Sequence, residues 1–176
     1  MIELVRQNLK SNKAIYKKVE HSLRKELDKS IPIEHVGSTA IPNMYGKNII
    51  DILIGAKDTE EFEYISNVLK NMGYINSDKS KTDIYMFFAS TSAETKSGDI
   101  HIHLVIIDTE RYQSFIILRD YLLERKDEAK DYSNFKKYLV SANILERKEY
   151  KNLKSKYVSD LIDRAFKYYN ISKKGE

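Results

Sequence analysis

The sequence predicts an α+β fold, a mixed β-sheet flanked by helices with a helical carboxy-terminal third. Three observations carry this expectation. The hydrophobic patterns run helix, strand, strand, helix, strand, strand and then about three helices, without the regular βαβ alternation of a doubly wound sheet. The strand candidates are short and β-branched or alternating, whereas everything after residue 109 carries helical periodicity. The 176 residues contain no Pro-rich or Gly/Ser-rich linker, which fits a single domain over 1–176, its sheet core at about 12–108 and its helical part at about 109–170.

The first helix is expected over 13–29, where Ile15, Val19, Leu23 and Leu27 recur every four residues. Pro32 restricts its predecessor to extended geometry and ends it. Residues 33–36 form a short strand that stops at Gly37. Residues 48–55 hold the most apolar stretch, Ile49-Ile50-Asp51-Ile52-Leu53-Ile54, and read as a buried central strand. Asp58 and Glu61 have capping-box spacing ahead of Phe62, Ile65, Val68 and Leu69, with Gly73 as the stop. Residues 84–89 read as a strand and 91–98 as a mobile loop. Over 99–107 the pleat places Ile100, Ile102, Leu104 and Ile106 on one face, and Asp99, His101, His103 and Val105 on the other. The helical stripes expected to follow are Phe115-Leu118-Leu122, Tyr132-Phe135-Tyr138-Leu139 and Tyr150-Leu153-Tyr157-Leu161-Ile162-Phe166.

Composition excludes several classes. The chain has no cysteine, so no disulfide scaffold, thiolate metal site or cysteine nucleophile is available. Its apolar runs are too short to span a bilayer, and an acid at Glu3 within Met1–Arg6 is wrong for a signal peptide. A cytoplasmic protein without a membrane partner is expected. Residues 1–110 carry 14 basic and 16 acidic side chains, and residues 111–176 carry 16 and 10. A basic final third is suited to polyanions, nucleotides or nucleic acid among them. The plainer reading is that its lysines, spread out and interleaved with acids, decorate the solvent faces of helices, and no nucleic-acid partner is expected.

Three places depart from a packing pattern. Gly37-Ser38-Thr39 ends a strand with a residue that allows close backbone approach and two hydroxyls that can bond phosphate oxygens; an ordinary capped turn is the plainer reading. Asp51 is the one ionisable group among isoleucines, and a buried carboxylate needs a cation, a metal or hydrogen-bond donors. His101 and His103 share a strand face, close enough to hold a metal or phosphate together or to serve in acid/base work.

Together these match the nucleotidyltransferase superfamily's arrangement of a Gly-Ser turn, then Asp-x-Asp, then a polar residue on another strand. Gly37 precedes Asp51 by 14 residues, and Leu53 stands where the second carboxylate belongs. In that chemistry the turn holds a triphosphate and the carboxylates hold divalent ions.

The run Ile33-Glu34-His35-Val36-Gly37-Ser38-Thr39-Ala40-Ile41-Pro42 closely resembles the signature of the GrpB family. Gly46-Lys47-Asn48-Ile49-Ile50-Asp51-Ile52 is similar to its Lys-Pro-x-Ile-Asp-Ile stretch, with Asn48 in the proline position and Asn43 where glycine is usual. His101-Ile102-His103-Leu104-Val105 resembles its His-Leu-His-Val strand, and Leu118-Arg119-Asp120-Tyr121-Leu122 its Phe-Arg-Asp-Tyr-Leu helix start. The resemblance implies a nucleotidyltransferase-like fold; some members are fused to dephospho-CoA kinase, where the module has been labelled a protein-folding accessory domain.

By resemblance, His35, Gly37, Ser38, Thr39, Lys47 and Arg119 are expected to contact a nucleotide or phosphorylated small molecule. Asp51, His101 and His103 are the expected catalytic residues and the ligands of a divalent metal, Mg²⁺ or Zn²⁺. Arg119 near a helix start offers a fork for phosphate. Two other readings stand beside this. One is a non-catalytic accessory module binding a nucleotide, a CoA-like ligand, a protein or, through His35, His101, His103 and Asp51, zinc. The other is a degenerate histidine-triad strand with His103 as nucleophile and Val105 in place of the third histidine.

Overall fold

The computed structural model describes residues 3–76, 81–90, 99–141 and 147–172. The loop expected over 91–98 lies outside them. In chain order come β1 (Val5–Arg6), α1 (Leu9–Glu26), β2 (Ile33–Val36), a 3-10 turn (Ser38–Ala40), β3 (Tyr45–Gly46) and β4 (Ile50–Ala56). Then follow α2 (Thr59–Asn71), β5 (Ile75–Asn76), β6 (Tyr85–Ala89), β7 (Ile100–Ile106), α3 (Glu110–Glu124), α4 (Lys126–Ser141) and α5 (Arg147–Tyr168). Among the described residues no helix is long and apolar enough to cross a membrane.

Five strands form one sheet in the order β2-β4-β7-β6-β5, and only the central β4–β7 pair is parallel. The sheet is therefore mixed, as the irregular element order predicts. A separate two-stranded ribbon pairs β1 with β3. Helix α1 starts four residues earlier than the apolar stripe suggests. The reason is local: the Asn8 side chain accepts a hydrogen bond from Ser11 N and caps the first turn. The two-residue strands are too short to leave any periodic signal.

The two sheet faces have different covers. Ile50, Ile52 and Ile54 of β4 and Ile100, Ile102 and Leu104 of β7 face α1 and α2, packed on Leu23, Phe62, Ile65 and Leu69. Burying one such side chain contributes about 1.5–3 kcal/mol, so this layer dominates the sheet's stability. On the opposite face Val36, Leu53, Tyr85 and Val105 pack against Tyr112, Phe115 and Ile116 of α3. The other side of α3 offers Ile117, Tyr121 and Leu122 to α4, α5 and the Ile41–Met44 segment. Helix α3 is thus buried on two sides, which is why its apolar residues do not fall on one stripe. Tyr138, expected on the α4 stripe, is exposed and does not belong to the buried face.

Polar contacts fix the helical third against the rest. Glu128 of α4 accepts both arms of the Arg164 guanidinium from α5, at 3.0 and 2.9 Å, and the Tyr121 hydroxyl from α3 at 2.8 Å. The buried Ser133 hydroxyl of α4 accepts from Tyr45 N at 3.0 Å, pinning α4 over the small ribbon.

Candidate functional site

Parallel pairing of β4 with β7 puts Asp51 opposite His101 and Leu53 opposite His103. All four side chains leave the sheet on the α3 side, because alternate residues of a strand share a face. Asp51 Oδ1 lies 3.4 Å from His101 Nδ1 and 3.6 Å from His103 Nε2. Burial pulls the Asp51 carboxyl upward, but hydrogen bonding and charge from the two imidazoles outweigh it and hold the group well below the usual carboxylate range. A quarter of the Asp51 side chain remains open. The carboxylate in the isoleucine strand is therefore satisfied by its neighbours and still faces a space.

The two histidines are not equivalent. His103 shares a 3.0 Å hydrogen bond between Nδ1 and the Tyr85 hydroxyl, and its ring is flanked by Phe87 and by Phe115 at 4.7 Å. Enclosed in this way, with 16% of its side chain exposed, it makes a poor nucleophile, and the fully buried Val105 leaves no histidine-triad strand. His101 meets Phe87 edge-on and has no hydrogen bond to Nε2 among the described residues. An imidazole held at Nδ1 by a carboxylate and open at Nε2 is arranged as an oriented proton acceptor or donor.

The glycine-serine turn closes one side of this cluster. Val36 pairs with Asp51, and Gly37 follows with φ 72° and ψ −171°, a conformation essentially reserved for glycine. A Cβ at Gly37 would collide with the Asp51 carboxylate, and one at Gly46 with the Ser38 hydroxyl. These glycines let the turn lie directly against Asp51. Ser38–Ala40 is one 3-10 turn and starts no α-helix, so neither hydroxyl caps a helix aimed at an anion.

Several expected site residues are elsewhere. His35 pairs with Ile52, so it points to the face away from Asp51 and stacks on Tyr16 at 4.8 Å. Its Nε2 shares a 3.0 Å hydrogen bond with the Thr39 hydroxyl, and Thr39 is fully buried. Both are structural, and a zinc set that needs His35 beside Asp51 cannot form. Arg119 sits in the second half of α3, not near its start, and its Nη1 pairs with Glu34 at 2.7 Å while Nε pairs with Asp120 at 2.8 Å. Leu53 is fully buried in the α3-facing core.

Asp51, His101, His103, Gly37, Ser38, Lys47 and Arg119 do share one cavity, of about 690 Å³. Its far wall comes from the helical third. Lys136 and Tyr132 of α4 and Tyr150, Lys151 and Lys154 of α5 line it, and Arg111 of α3 stands over the Tyr85 ring at its rim. Lys136 is the notable omission from the sequence reading. It falls four residues after Tyr132 and three before Leu139, on the very stripe that marks the buried face of α4. A lysine on a core stripe was the available signal.

Asp51 offers one hard oxygen and the imidazoles suit zinc more than magnesium. Among the described residues no group of three histidine, aspartate or glutamate side chains is arranged to hold an ion.

A family model described as GrpB protein matches residues 2–164. UPF0157 protein YqkA of Bacillus subtilis is 30% identical over 111 residues, 63% of this chain and 32% of its own length. UPF0157 protein PA4798 of Pseudomonas aeruginosa is 29% identical over 133 residues, 76% of this chain and 54% of that one. Glutamate-rich protein GrpB of Alkalihalophilus pseudofirmus is 33% identical over 110 residues, 61% and 63% of the two chains. The chain thus spans between 32% and 63% of the length of these relatives. The crystal structure of conserved protein GrpB from Enterococcus faecalis superposes with a TM-score of 0.80 at 21% identity, over 95% of this chain and 99% of that one. The Cid1 poly(U) polymerase in its MgGTP-bound form reaches only 0.45 at 10% identity, over 71% and 44% of the two chains.

Proposed function

The chain belongs to the GrpB family, and we propose that it binds a nucleotide or another phosphate-bearing small molecule in the cavity between the sheet and the helical third. One observation carries this reading. Around that cavity of about 690 Å³, Lys47, Arg111, Arg119, Lys136, Lys151 and Lys154 face only Asp51 and Glu110 among the described carboxylates. The volume suits a nucleotide-sized ligand, and the excess of cations suits an anionic one. Even with Arg119 committed to Glu34 and Asp120, the wall stays positive.

The chemistry available to that ligand is proton transfer at the Asp51 end. Asp51 orients His101, whose Nε2 then takes or gives a proton at a bound ligand atom, and the Gly37-Ser38 backbone lies close enough to position it. A nucleotidyltransferase-like Gly-Ser turn ahead of a carboxylate strand supports this placement. Two-metal transfer is not supported, because Leu53 occupies the second carboxylate position and is packed under α3. The incomplete carboxylate pair favours a second reading, an accessory module that binds the same ligand without turnover.

The test is a thermal-shift panel of nucleoside triphosphates, CoA species and inorganic phosphates, each with and without Mg²⁺. A ligand at about a hundredfold excess over Kd adds about 2.7 kcal/mol, or roughly 5–10 °C for a chain of this size. A rise of that order with at least one phosphate-bearing compound is expected. No shift with any of them overturns the reading, and turnover of the hit separates enzyme from accessory module.

A further inference from the structure

Lys136 is a cation that packing does not explain. Only 3% of it is exposed, and its ammonium lies 4.5 Å from the centre of the Tyr132 ring. Among the described residues no carboxylate forms an ion pair with it. A methionine or leucine would fill the same stripe of α4 without the cost of taking an ammonium out of water. Burial, reinforced by the charge of Lys154, pushes Lys136 down to about 7, with Asp51 opposing more weakly. Lys154 lines the same cavity from α5, so two cations on different helices look into one space. Like charges gathered there repel unless an anion stands between them. Asp51 does not fill that role, since His101 and His103 already share its Oδ1 on the opposite wall.

We infer that Lys136 and Lys154 form the anion subsite of the cavity, so that the ligand's phosphate end lies against the helical third and not against the Gly37-Ser38 turn. The inference rests on the phosphate-ligand reading and gives that ligand a direction. Its phosphate end sits between α4 and α5, and its remainder reaches across toward the turn and the Asp51–His101 pair. The aromatic ring of Tyr132 then serves as the floor that keeps the Lys136 ammonium pointed into the cavity.

Isothermal titration with inorganic pyrophosphate and with ATP, on the wild type, Lys136→Met, Lys136→Arg and Ser38→Ala, tests this. Lys136→Met is expected to weaken binding of both probes at least tenfold, and Lys136→Arg to keep affinity within a few-fold. The Lys136→Met protein should also melt at a higher temperature than the wild type without ligand, because it loses an unpaired buried charge; a lysine kept for structure would give a lower one. Unchanged affinity in Lys136→Met, with the loss falling on Ser38→Ala instead, overturns the subsite while leaving a phosphate-binding cavity. A wild type that binds neither these probes nor any nucleotide removes both the subsite and the reading beneath it.

Discussion

Asp51 is the residue on which the turn, the central strand and both histidines converge, and Gly37 is what lets them do so. Replacing Gly37 by alanine forces an L side chain into a left-handed conformation and drives its Cβ into the Asp51 carboxylate. A loss of about 1–3 kcal/mol in urea unfolding is expected, with larger losses in any activity that depends on Asp51. His35 carries a different prediction. Burial lowers it to about 4, against about 6.5 for an unfolded histidine. Between those values the unfolded chain holds more protons, so stability falls as pH drops from about 6.5 toward about 4. His35→Phe should keep the stack on Tyr16 and lose this dependence, and urea midpoints of the two proteins across that window check it. Identical slopes would place His35 in solvent. The catalytic candidates were legible at this scale because a carboxylate among isoleucines and two histidines on one pleat face break a packing pattern. The misplacement of His35 has an equally physical cause: which face a short strand shows depends on its register with β4, and that pairing leaves no mark within residues 33–36.

Among the elements, β4 shows how one strand serves packing and chemistry at once. Its odd and even positions separate the Ile50-Ile52-Ile54 core from the Asp51 end of the cavity, and Leu53 closes the space between Asp51 and α3. Leu53→Asp restores the Asp-x-Asp pattern in sequence but buries a charge under Phe115 and Ile116. The expected result is destabilisation by several kcal/mol with no recovery in Mg²⁺ or Mn²⁺, read as unfolding midpoints with and without the ion. A metal-dependent rescue would show that position 53 can still reach a second ligand site. The long helices and the four longer strands of the sheet were legible from pattern and flanking residues. The early start of α1 was not, because it is set by one cap at Asn8, and the ribbon of β1 and β3 was not, because two residues carry no period.

Across the whole molecule, the cavity has one wall from the sheet and another from the helical third, and the final element, α5, supplies Tyr150, Lys151 and Lys154 to it. A basic balance from residue 111 onward could not say that some of its lysines meet Asp51 across one space, since that requires α4 and α5 to fold back over the sheet edge. The parallel β4–β7 pair has a further consequence, in time. Antiparallel β2 and β4 are near in sequence and close a short loop, whereas β4 and β7 are separated by all of α2, β5 and β6. Closing that longer loop costs more chain entropy before any contact repays it, so the parallel pairing lags the hairpin-like one. During synthesis from the amino terminus, Asp51 therefore first stands on an unpaired sheet edge, without His101 or His103, and a ribosome must have released the chain through Ile106 before the carboxylate meets its imidazoles.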